Sequence, residues 1–136
     1  TNGWVNGTIK RFRGTATGAT LFPVGTATQY RPATMNVTTT LTTGGSVTAS
    51  FVASAPGGNG LPLDDNGTAI LSVAQDGYWQ LDAGDGLAGG AYSMAIRARN
   101  FTSNMGAAAD LRLVNRVDAS SPWALVGTHA TGSADS

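Results

Sequence analysis

The chain has 136 residues, no cysteine and a formal net charge of zero, eight basic groups standing against eight acidic ones. That length suits one domain with its own core, the missing cysteines exclude thiol chemistry and a disulfide framework, and the balanced charge argues against a nucleic-acid binder's basic stripe. All eight acids are aspartates, and 18 threonines, 10 serines and 19 glycines stand where helix-forming lysine and glutamate are nearly absent, so an all-β chain is expected.

In chain order, residues 3–13 and 20–24 are short candidate strands. The clearest alternation fills 33–54. Met35, Val37, Thr39 and Leu41 share one face, and after the turn Thr43-Gly44-Gly45 the apolar face resumes with Val47, Ala49, Phe51 and Ala53. Two alternating runs around a glycine pair predict a hairpin. Residues 55–67, with two prolines among glycines and asparagines, read as the longest loop. A second hairpin is expected from 68–74 and 78–82 around Gln75-Asp76-Gly77, and a further strand over 91–99 sets Tyr92, Met94, Ile96 and Ala98 on one face. Shorter strands are read at 110–116 and 123–128, and Ala107-Ala108-Ala109 allows one helical turn at most. Eight or nine such strands predict an antiparallel β-sandwich, immunoglobulin-like or jelly-roll-like, as a single domain over 1–136.

There is no run of 18 apolar residues and no basic-then-apolar leader, so neither a membrane span nor a signal peptide is read. The start at Thr1-Asn2-Gly3 reads as a segment processed or excised from a longer secreted protein. Lack of cysteine fits a bacterial surface protein better than a small disulfide-dependent secreted domain.

Five local patterns occur together: FPVGT at 22–26, YRPATM at 30–35, DGYWQL at 76–81, LRLVNR at 111–116 and PWALVGTH at 122–129. In this order and spacing they resemble a β-sandwich module of large secreted surface proteins of Bacteroidetes-like bacteria, including type IX secretion cargo and adhesin-like proteins. The resemblance implies an extracellular, cell-surface setting and carries packing and turn motifs rather than catalytic residues. A further strand usually follows the last motif in such modules. Here 131–136 contains none, which leaves a sheet edge either unfilled or filled by another chain.

Candidate chemistry is sparse. His129 is the one histidine, in a Gly/Ser/Ala-rich tail without a nucleophile or orienting carboxylate beside it in sequence, and reads as solvated. Asp64 with Asp65 and Asp82 with Asp85 are the carboxylate pairs a glycosidase would need. Both are placed in Gly/Asn-rich turns, where aspartate caps backbone amides. A loop-stabilising calcium held by Asp64, Asp65, Asn66, Asp82 and Asp85 is the sharper alternative, and no other cofactor is expected. GDGLAGG at 84–90 lacks the following helix of a phosphate loop, and the Asn-x-Thr triplets at Asn6, Asn36, Asn66 and Asn100 are given little weight.

Parity assigns Trp79 and Trp123 to the core, whereas Trp4, Tyr30 and Tyr78 are the aromatics expected outside. There they would stack on a sugar ring, or cover a sandwich end or a neighbouring domain. The sequence therefore points to a non-enzymatic structural or adhesive module. Its expected partners are other copies, polymerising by strand addition at sheet edges, or neighbouring domains. The alternative is a carbohydrate-binding module beside an enzyme domain, with polysaccharide as partner; a hydrolase built on the four aspartates ranks last.

Overall fold

The computed structural model describes residues 3–103 and 105–133. Thr1, Asn2, Asn104 and residues 134–136 lie outside them, so the readings made at Thr1-Asn2 and over 134–136 fall outside the described residues. The chain is all-β, with one 3-10 turn at Ala108–Asp110. Its strands are β1 (Val5–Asn6), β2 (Thr8–Arg13), β3 (Gly18–Phe22), β4 (Val24–Gly25), β5 (Ala33–Thr39) and β6 (Gly45–Val52), followed by β7 (Leu63–Asp65), β8 (Thr68–Ile70), β9 (Tyr78–Gly84), β10 (Ala91–Ile96), β11 (Val114–Asn115) and β12 (Ala124–Leu125). These twelve, counted among the described residues, exceed the eight or nine expected because the ranges 3–13 and 20–24 each meet two strands, β1 with β2 and β3 with β4, and β7 forms inside what reads as the loop 55–67. Contacts gather the chain into two compact units, residues 1–53 with 78–100, and 54–77 with 101–136.

The first unit holds two three-stranded antiparallel sheets, ordered β2-β6-β9 and β10-β5-β3, with β1 and β4 as a short parallel pair. Each central strand buries alternate residues, as a strand with one face on a core must. These are Ala33, Met35 and Val37 on β5, and Val47, Ala49 and Phe51 on β6. Phe22, Val24 and Leu41 are buried in this unit as well. Trp79 sits opposite Phe51 across the β6–β9 ladder, edge to face with ring centroids 5.0 Å apart, and its indole N–H donates to the Arg31 carbonyl at 2.8 Å. Arg31 is itself buried, its guanidinium over the Phe51 ring, and it donates to the Arg99 carbonyl.

Two pairings differ from the sequence reading. The runs expected to form a hairpin around Gly44-Gly45 are β5 and β6, and they belong to different sheets. The two glycines are there for close approach: a Cβ at Gly44 would lie 2.7 Å from the Arg13 carbonyl oxygen, and one at Gly45 would lie 2.5 Å from the Leu87 nitrogen. Nor do 68–74 and 78–82 pair. β9 joins β6, and β8 turns back on β7 through Asn66 (φ 51°) and Gly67 (φ 97°). Successive positive φ values match the right-handed twist of a two-residue hairpin, and Asn-Gly tolerates them best. Asp76, expected in a hairpin turn, instead binds a distant loop.

The second unit consists of β7–β8, the antiparallel pair β11–β12 and long connections tied by side chains. Trp123 is buried as expected. Its indole donates to the Gly57 carbonyl at 2.9 Å, and the Arg116 guanidinium lies 4.4 Å from its ring centroid. Arg116 also donates to the Pro56 carbonyl at 2.7 Å, so one cation and one indole fasten the 56–59 loop to the β11–β12 pair. Asp118 accepts from the backbone and hydroxyls of Ser120 and Ser121, closing the connection between those strands.

Candidate functional site

Of the three aromatics expected outside, the structure brings two together. Trp4, just ahead of β1, is 38% exposed and tilts 32° against Tyr30 at a centroid distance of 5.6 Å. Its indole N–H donates to the Thr26 carbonyl at 2.8 Å, which fixes the ring over the 26–30 turn. Tyr30 is half-buried, and so is Tyr78, which stands on β9 opposite Val52. The more exposed rings are Phe12, at 69%, and Tyr92, at 59%. Tyr92 shares the inward parity of Met94 and Ile96, but a register shift beside it and its place on an outer strand leave it uncovered. Edge position has no signature in alternation, so the sequence reading assigned Tyr92 to an apolar face.

The carboxylates fall into the two units, Asp64 and Asp65 in the second, Asp82 and Asp85 in the first. Asp64 Oδ2 accepts from the Gly67 backbone N–H at 3.0 Å, bracing the hairpin turn. Asp65 Oδ2 accepts from Arg112 Nε at 2.6 Å, and the Asn66 carboxamide reaches Asp65 Oδ1 at 3.4 Å. Calcium at this hairpin would have to compete with Arg112 for Asp65. Asp82 lies within β9, not in a turn, and accepts from Gln80 Nε2 at 3.1 Å.

Asp85 does occupy a turn, with φ 53°. It accepts from Lys10 Nζ at 2.8 Å and Ser46 Oγ at 2.6 Å. The Lys10 ammonium, with help from the Ser46 hydroxyl, holds the Asp85 carboxyl below the usual aspartate range. Among the described residues, no three His, Cys, Asp or Glu side chains gather as a metal-binding group.

Asp76 is the most perturbed acid. It accepts from the Thr102 backbone and hydroxyl, each at 2.7 Å, from the Ser103 backbone at 3.0 Å and from the Ser103 hydroxyl. The Ser103 and Thr102 hydroxyls are the main reason its carboxyl lies far below the ordinary value. This arrangement clamps two loops of the second unit and leaves the charged form strongly favoured.

His129 departs from the solvated reading. It is half-buried and lines a polar recess together with Asp65 and Arg112. Sequence gave no sign of this, because its neighbours in the recess come from positions near 65 and 112. No protein-family model, curated protein or solved structure matches the chain.

Proposed function

We propose that the chain is a non-enzymatic structural or adhesive module of a bacterial surface protein. It works outside the cell, its first unit closes as a β-sandwich, and its sheet edges join it to other copies or to neighbouring domains. The observation that carries this reading is the use made of the charged side chains. Asp64, Asp76 and Asp118 are bonded to backbone amides of their own unit, and Asp65 and Asp85 to cations of their own unit. Arg13 and Arg116 are likewise anchored on backbone carbonyls. Groups so committed reinforce a frame. The resemblance read in the five motifs points the same way.

Assembly through edges has its own support. β2, β9, β3 and β10 each have one hydrogen-bonded neighbour among the described residues, so their outer backbone groups are available to a further strand. Sedimentation over a wide range of concentration, with electron microscopy of the same samples, tests it. Polymers or concentration-dependent oligomers are expected; a chain that stays monomeric and forms no polymer removes the assembly reading.

The Trp4–Tyr30 ring pair favours a second reading, a carbohydrate-binding module. It predicts that Trp4→Ala abolishes retention on an insoluble polysaccharide. Equal retention of the variant and the parent chain would dismiss it.

A further inference from the structure

The second unit contains a recess of about 400 Å³ lined by Asp65, Asn66, Thr68, Arg112, Thr128 and His129. Its one carboxylate and one guanidinium neutralise each other. Asp65 Oδ2 and Arg112 Nε are 2.6 Å apart, with side chains only 25% and 11% exposed. Arg112 Nη1 is also held by the carbonyls of Ala109 and Leu111, at 3.2 and 3.0 Å. Two planar polar groups are therefore fixed in place before any ligand arrives, which lowers the ordering cost of binding.

The other walls are an amide and two hydroxyls, groups that both donate and accept. His129 completes the wall, its Nε2 sealed from solvent and without a hydrogen-bond partner among the described residues.

These features narrow the ligand. An apolar guest would leave the amide and the hydroxyls unpaired, and a charged one would meet a site whose own charges already cancel. A neutral molecule rich in hydroxyl groups matches the walls. The volume lies near the lower end of small-molecule sites, which suits one ring better than an extended chain. We propose that this recess binds a single neutral sugar residue, with Asp65, Asn66 and Thr128 taking its hydroxyls beside the His129 imidazole. The site gives the adhesive reading a molecular contact, but it does not depend on assembly through sheet edges.

Because His129 is the only histidine, its imidazole protons give one assignable set of NMR signals. Titration of the full chain with the methyl glycosides of glucose, galactose, mannose and N-acetylglucosamine, and separately with inorganic phosphate, reads the recess directly. A saturable His129 shift is expected with at least one glycoside, weakened about tenfold or more by Thr128→Val. Should that variant unfold, Asn66→Gly decides in its place, since it suits the positive φ of that turn, removes the carboxamide and must weaken binding likewise. No shift with any of the four glycosides overturns the proposal. So does a shift with phosphate alone, or a glycoside shift that Thr128→Val leaves intact. Sedimentation is a separate readout, so the sugar site and the assembly reading can fail independently.

Discussion

Asp76 shows at the scale of one residue how this chain uses its acids. Four hydrogen bonds from Thr102 and Ser103 favour the carboxylate, so its folded pKa lies below the ordinary aspartate value of about 4. The group therefore adds stability at neutral pH, and that contribution is lost as pH falls from about 4 towards the folded value. Asp76→Asn is expected to lower the thermal midpoint at pH 7 by a few degrees, on the order of 1 kcal/mol, and to reduce the drop seen on acidification. Equal drops in variant and parent between neutral and acid pH would contradict the assignment. In the core of the first unit, Phe51→Ala removes the partner of the Trp79 ring and is expected to cost about 3 kcal/mol or more in denaturant unfolding. Trp79→Phe, which keeps a ring but loses the bond to the Arg31 carbonyl, is expected to cost about 1 kcal/mol.

Among strands, the alternating runs over 33–54 and 91–99 correspond to β5, β6 and β10. β5 and β6 each bury one face, and on β10 the same alternation leaves Met94 and Ile96 half-buried between exposed neighbours. Their partners were not legible in the sequence. Alternation reports which side chains share a face, but the identity of the neighbouring strand is settled by contacts distant in sequence. Gly44-Gly45 reads as a turn, whereas the structure needs those glycines where Arg13 and Leu87 come close. The opposite error occurred at Asn66-Gly67, a strong hairpin dipeptide set inside what reads as a loop. At the candidate sites, the Trp4–Tyr30 pair joins two aromatics that the sequence already marks as expected outside, while the recess around His129 unites positions that no local pattern links. Gly45→Ala tests the close approach of β6 to the β9–β10 connection. The added Cβ would lie 2.6 Å from the Gly84 carbonyl oxygen, so a loss of about 2 kcal/mol or more is expected in denaturant unfolding. A neutral effect would mean that β6 has room there.

For the molecule as a whole, the proposed structural role rests on the proposal that the first unit closes as a β-sandwich, with the buried faces of β5 and β6 turned to one interior. Zero net charge sets up no long-range repulsion between copies of such a frame, which suits a module that joins others. The most direct measurement is a nuclear Overhauser spectrum of the folded chain with labelled methyl and aromatic groups. The account predicts cross-peaks from Met35 and Val37 to Val47 and Phe51, between strands that share no ladder. Hairpin cross-peaks between the backbones of β5 and β6, or methyls of β5 that meet only residues of their own sheet, would contradict it.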